Sequence, residues 1–264
     1  MNPSDPVALT YLGHSTVLLE LAGLRLLTDP ILRRRVGPLV RTEAPIESRH
    51  WQDIDAVLIS HSHWDHLDYG SLRLVGMSVP MLMPTGMGAR FRSRGFRQVI
   101  ELSPGEQTRL GPVTIEATDA AHRGFPPPIG PTDLAIGFVL QGGAKVYFPG
   151  DTALFDGMAG LAQGLDVALM PVWGWGPRAQ PHEHLDPLGA AQALQLLKPR
   201  LAVPIHWGTL HPVGFKWLRP STRIDPPHTF ARLAAELAPE TEVRVVPVGG
   251  RLSLAESLRV SPTD

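Results

Sequence analysis

The chain has 264 residues, 43% hydrophobic and 19% charged, which is ordinary for a globular protein and enough for a sizeable core. A formal charge of −1 gives no global electrostatic case for nucleic acid, and the absence of cysteine excludes disulfides, thiolate ligands and cysteine nucleophiles, so any metal must be held by His, Asp or Glu. The segment Met1-Asn2-Pro3-Ser4-Asp5-Pro6 is neither basic nor apolar enough for a leader, and no stretch is long and apolar enough to span a bilayer, so the expected location is cytoplasmic.

The 27 prolines and 26 glycines are spread along the chain, which predicts many short elements in one domain over residues 1–264. Val7 to Thr10, Ser15 to Leu21 and Leu24 to Thr28 read as three opening strands, the last two a hairpin turning at Gly23. Asp29 follows the third strand, where it either feeds a site or turns the chain before Pro30. Residues 31–49, with Arg33-Arg34-Arg35, Gly37-Pro38 and Arg41, read as a loop with solvated charges. Ala56 to Ile59 reads as a buried strand, and the segment that leaves it, His61-Ser62-His63-Trp64-Asp65-His66, packs three histidines and an aspartate into six positions. Side chains two apart in an extended segment point the same way, so His61 and His63 can reach one cation, and Asp65 with His66 a second. Imidazole with carboxylate suits two divalent ions, Zn(2+) first, with Mn(2+) or Fe(2+) as alternatives.

Tyr69 to Val75 reads as a short helix, Val79 to Met83 as a strand, and Thr85 as the cap of a helix through Phe91. Strands follow at Val99 to Leu102 and Val113 to Thr118, the second running into His122, which supplies the third ligand the first cation needs. Leu134 to Leu140 and Lys145 to Phe148 form a hairpin that ends Pro149-Gly150-Asp151-Thr152, placing at a strand end a carboxylate able to bridge two cations; helical sequence follows to Gln163. Val167 to Val172 leads into Trp173-Gly174-Trp175, whose tryptophans either line a pocket, the reading the flanking glycines favour, or fill the core. Beyond His182 and His184, Asp186 reads as an N-cap with Pro187 at the first helical position, and the helix through Lys198 sets Leu188, Ala191, Leu194 and Leu197 near one face. Leu201 to Ile205 is a buried strand ending in His206, Phe230, Leu233 and Leu237 sit at helical spacing, and Glu242 to Val248 closes the chain as a strand. Strands ending at His61, His122, Asp151 and His206 each hand a ligand-type residue to a loop, the place where α/β proteins collect their sites. The ligands divide into His61, His63 and His122 for one cation and Asp65, His66 and His206 for the other, with Asp151 between them.

With His61, His63, Asp65 and His66 completing an HxHxDH phrase, the chain resembles the metallo-β-lactamase fold superfamily over nearly its whole length. That resemblance implies an α/β (α+β) fold, a four-layer αββα sandwich of two mixed β-sheets flanked by helices. It also casts Asp29 as an aspartate supporting ligands from behind, a role His14 could share. Tyr11 to Thr16, Leu27 to Ile31, Ile59 to Tyr69, His184 to Pro187 and Ile205 to Thr209 are similar to the branch holding N-acyl-phosphatidylethanolamine phospholipase D and ascorbate-6-phosphate lactonase. By the same resemblance His184 sits at a substrate phosphate; independently of it, His182, His211, Trp173 and Trp175 are candidate substrate contacts. The expected chemistry is hydrolysis of a phosphodiester by a hydroxide shared between two cations, with Asp65, Asp151 and His184 as the catalytic side chains. A sugar-phosphate lactone or similar ester is the alternative substrate, and a non-catalytic metal- or phospholigand-binding protein is the alternative of another class. The expected partner is a small-molecule or lipid-like substrate without nucleic acid, and a homo-oligomer is open.

Overall fold

The computed structural model describes residues 7–124, 133–161, 163–173, 183–213 and 225–254. Strands β1 (Ala8–Gly13), β2 (Thr16–Leu21) and β3 (Leu24–Thr28) pair antiparallel, as tight turns at Gly13-His14 and Ala22-Gly23 allow. From β3 the pairing becomes parallel through β6 (Ala56–Leu58), β7 (Met81–Pro84) and β8 (Val99–Leu102). A second sheet repeats this plan. β9 (Gln107–Leu110), β10 (Val113–Gly124), β11 (Asp133–Gln141) and β12 (Lys145–Phe148) are antiparallel, and β12, β13 (Val167–Pro171), β14 (Leu201–Ile205) and β16 (Glu242–Val243) are parallel. With β17 (Arg251–Ser253) on the edge of β1, each sheet has seven strands among the described residues.

Alternation along the strands builds three apolar layers. Leu9, Leu19, Leu26 and Leu58 of the first sheet meet Ile115, Phe138, Phe148, Leu169 and Val203 of the second. The outer face of the first sheet, with Val57, Met81 and Met83, packs on Leu72 of helix α1 (Tyr69–Val75) and Phe91 of α2 (Gly88–Arg92). Ala168 and Met170 face the opposite way, onto Leu194 and Leu197 of α3 (Pro187–Leu197) and Phe230 of α4 (Asp225–Leu237). The result is the expected αββα sandwich, and strands buried on both faces explain the unbroken apolar runs at β6, β13 and β14. Among the described residues no helix is long and apolar enough to cross a membrane.

Several local expectations give way to tertiary contacts. Residues 31–49 are not all loop: β4 (Arg35–Val36) and β5 (Leu39–Arg41) turn at Gly37-Pro38 and join β15 (Leu210–Pro212) in a third sheet. Thr85 does not cap α2; its hydroxyl pairs with Ser103, and the Gly86 and Gly88 amides donate to Glu101 Oε1 at 2.9 and 3.0 Å. Asp186 does cap α3, accepting from Gly189 N–H at 2.8 Å. The buried stripe of that helix is Ala190, Ala191, Ala193, Leu194 and Leu197, whereas Leu188 is exposed. The helical stretch expected after Asp151 takes the form of a 3-10 helix at Asp156–Leu161. The closing strand is only Glu242–Val243, and the edge place beside β1 goes to β17.

Candidate metal centre

Asp29, His61, Asp151 and His206 follow the carboxyl ends of β3, β6, β12 and β14, parallel or half-parallel strands inside the two sheets. Gly150 (φ 63°) lets the Asp151 turn come up against the histidine-rich loop, because a Cβ there would strike the Ser60 side chain. His14, Asp29 and His206 hold φ of 55°, 31° and 61°, so left-handed backbone at non-glycine residues gathers here. His206 N–H donates to the His14 carbonyl at 2.8 Å, locking two of these turns together. His122 does not sit in a loop after a strand. It lies inside β10, where the pairing with β11 slips between Asp119 and Arg123, and such a bulge re-aims a side chain.

Two of the clusters of ligand-type atoms hold the predicted ligands, one of His61, His63, His122 and Asp151 and one of His14, Asp65, His66 and His206. In one, His63 Nδ1 lies 3.0 Å from His61 Nε2 and 3.2 Å from His122 Nε2, and Asp151 Oδ2 lies 3.9 Å from His61 Nε2. In the other, Asp65 Oδ2 lies 3.6 Å from His66 Nε2 and 3.5 Å from His206 Nε2. Asp151 reaches this group too, 3.3 Å from His66 Nε2 and 3.2 Å from His206 Nε2. A tetrahedral ion bound at ~2.0–2.1 Å separates its ligand atoms by ~3.3–3.4 Å, within the spread of these edges. His66 Nε2 and Asp151 Oδ1 are buried and make no hydrogen bond among the described residues, a costly arrangement that a cation between them would relieve. The donor set fits two divalent ions.

The far side of each ring is held. His66 Nδ1 donates to Asp29 Oδ2 at 2.7 Å, while Ser60 gives Asp29 its amide (2.8 Å) and its hydroxyl (2.6 Å). With its proton so used, Ser60 Oγ accepts from His61 Nδ1 at 2.9 Å. His122 Nδ1 donates to the Glu183 carbonyl at 2.9 Å and His206 Nδ1 to the Trp173 carbonyl at 2.6 Å. Each of these four rings, when neutral, is thereby held in the tautomer that turns a bare Nε2 inward. His14 Nε2 donates to Asp65 Oδ2 at 2.9 Å.

Burial holds His61 well below the ordinary imidazole value, His63 at about 4, His122 below it and His14 at about 3, so these rings are neutral at neutral pH. Burial also acts to lower His66 and His206, but the neighbouring carboxylates, Asp151 foremost, outweigh it; His66 is raised well above the usual value and His206 to about 9. Desolvation would raise Asp65 and Asp151, yet His66 beside the first and His206 with His66 beside the second hold both carboxyls well below the usual range.

His184 stands at the rim, its side chain 18% exposed and its Nδ1 3.4 Å from Asp151 Oδ2. Trp173 and His211 are buried, with ring centroids 5.4 Å apart. Trp175 and His182 lie outside the described residues. Sequence reasoning missed Ser60, although a hydroxyl directly before the first histidine, one strand away from Asp29, is the signal that finds it. The carbonyls of Glu183 and Trp173 carry no side-chain signature and could not have been found.

Residues 24–207 match the family model described as beta-lactamase superfamily domain. The chain belongs to the metallo-β-lactamase superfamily. A UPF0173 metal-dependent hydrolase of Opitutus terrae is 35% identical over 84% of this chain and 90% of its own length. The N-acyl-phosphatidylethanolamine-hydrolyzing phospholipase D 1 of Caenorhabditis elegans is 30% identical over 78% of this chain and 64% of its own. Among solved structures, Igni18, a metallo hydrolase from the archaeon Ignicoccus hospitalis, superposes with a TM-score of 0.70 at 25% identity, covering 93% of this chain and 97% of that one. Like these superfamily members, the protein is a metal-dependent hydrolase.

Proposed function

We propose that this hydrolase holds two divalent cations, Zn(2+) first among them, and cleaves a phosphodiester. The observation that carries the reading is the pair of ligand groups meeting at Asp151, one of three neutral imidazoles and one of a carboxylate with two imidazoles. His61, His63 and His122 would hold one cation, Asp65, His66 and His206 the other, and Asp151 both. Such a pair supplies Lewis acidity and brings the pKa of water toward ~7, so a nucleophile exists at neutral pH.

The chain's own groups set the rest. Asp151, reaching both groups, fixes their spacing and orients the nucleophile. Asp65 is held in place by His14 Nε2 and balances charge beside His66 and His206. His184, at the rim and in contact with Asp151, is placed to donate a hydrogen bond to a substrate oxygen or a proton to the leaving oxygen. The phosphodiester is favoured by the 30% identity to a phospholipase D together with His184 in that rim position. The ligands are five imidazoles and two carboxylates with no thiolate, a set that also accepts Mn(2+) or Fe(2+).

The test compares a glycerophospholipid-like phosphodiester with a sugar lactone, using one Zn- or Mn-reconstituted preparation. Diester turnover lost in His184→Ala supports the reading. Lactone turnover alone moves the protein to the alternative ester chemistry.

A further inference from the structure

Outside the centre, a cavity of about 550 Å³ lies along the third sheet, within the ~300–1,000 Å³ of small-molecule sites. Leu32, Val40, Pro45, Pro212 and Val213 give it an apolar lining, and none of the seven side chains assigned to the cations is part of the wall. Among the described residues its charged groups are Arg34, Arg41 and Glu43. Arg41 is buried and committed: its Nη2 donates to the Leu12 carbonyl at 2.6 Å, its Nε to the Ala44 carbonyl at 2.9 Å, and Glu43 lies within its field. Arg34 is exposed, and its guanidinium makes no hydrogen bond or ion pair among the described residues. Among the described residues, with Glu43 in the field of Arg41, the wall presents the Arg34 fork beside an apolar surface.

The cavity also has a defined relation to the centre. Val40 and His211 are register partners on β5 and β15, so their side chains share a face, and it is the face against which Trp173 packs. The Trp173 carbonyl holds His206 Nδ1, so an occupant lies one side chain away from that support without touching a proposed ligand.

We propose that this cavity binds a monocarboxylate with an apolar body. A single guanidinium fork matches the two oxygens of a carboxylate, whereas a phosphate dianion would bring two charges to that one fork. The carboxylate is either the non-reacting end of the enzyme's own substrate or a separate small molecule.

The probe is octanoate, titrated calorimetrically against the full-length protein before and after removal of metals with EDTA, with octanol as the uncharged control. Saturable binding that survives EDTA is expected. Arg34→Ala, at an exposed position, should weaken it about tenfold or more. Val40→Trp, a half-buried strand position that accepts an aromatic, should abolish it by filling the space. Octanol should bind more weakly than octanoate. Loss of binding with EDTA would place the anion on the metals, and unchanged affinity in both variants would place it elsewhere; either result, or no saturable binding, overturns the proposal. With any ester the reconstituted enzyme hydrolyses, competitive inhibition by octanoate identifies the occupant as the substrate's own end, and binding without competition identifies a separate ligand.

Discussion

Replacing Asp29 by Asn probes the support behind the proposed ligands with almost no change in volume. The native carboxylate accepts three hydrogen bonds, from the Ser60 amide at 2.8 Å, the Ser60 hydroxyl at 2.6 Å and His66 Nδ1 at 2.7 Å. An asparagine oxygen can still serve the Ser60 amide, but its NH2 group then faces Ser60 Oγ and His66 Nδ1, which must both accept. The serine hydroxyl can rotate. His66 can accept at Nδ1 only by moving its proton to Nε2, the atom that faces Asp65 and Asp151. The bare nitrogen proposed as a ligand is lost, and changes of this kind cost ~10–100-fold in metal affinity, about 1.4–2.7 kcal/mol. The loss should fall on the cation at Asp65, His66 and His206, with the one at His61, His63 and His122 near its wild-type affinity. Chelator competition against Zn-loaded protein, followed by metal analysis, resolves the two affinities, and circular dichroism confirms the fold. Wild-type affinity for both ions, or an equal loss at both, would refute this account of Asp29.

Metal uptake should depend on pH unequally at the two halves. His206 is raised to about 9 and His66 well above the ordinary value, so below pH ~9 a cation there must displace protons, and its apparent affinity should fall at least ~tenfold per pH unit on acidification. His61, His63 and His122 are lowered and neutral at neutral pH, so affinity at their half should fall less steeply on mild acidification than at the other half; calorimetry in two buffers counts the released protons. In the Asp68→Ala variant, α1 loses its cap at the Ser71 amide (2.9 Å) and Arg33 loses a partner held at 2.6 and 2.7 Å, which should cost about 1–2 kcal/mol in urea denaturation at pH 7. Burial pushes the Asp68 carboxyl up, but Arg33 and Ser71 bring it below its usual value. Its stabilisation is thus present above the unfolded pKa and lost as pH falls through the folded one, so the deficit of the variant should disappear in acid. His184→Ala should retain both cations and lower diester kcat by ~10²–10⁴. A drop accompanied by metal loss would instead make His184 part of the metal cradle.

Much of the architecture was legible because it is written in local pattern. β6, β13 and β14 are buried on both faces and read as apolar runs, and Asp186-Pro187 announces α3 through a cap bond to Gly189 that lies within four residues and needs no distant partner. The histidine-rich phrase at 61–66 was legible for the same reason. β4, β5 and β15 have two or three residues each, and the small sheet is completed by β15 pairing with β5 from far along the chain, so no local window contains it. Glu101 reaches Gly86 and Gly88 from the next strand, and Thr85, the nearer candidate, turned to Ser103. Around the centre, side chains with ligand chemistry stood out, whereas what aims them did not. Ser60 connects Asp29 to His61 through one hydroxyl, and His122 and His206 are aimed by carbonyls that any residue possesses.

The proposal of two cations meeting at Asp151 is tested most directly by anomalous diffraction from Zn-reconstituted crystals, with stoichiometry measured on the same preparation. Two peaks are expected, one among His61, His63 and His122 and one among Asp65, His66 and His206, with a carboxylate oxygen of Asp151 at each. A single ion, or two ions neither of which touches Asp151, would contradict it.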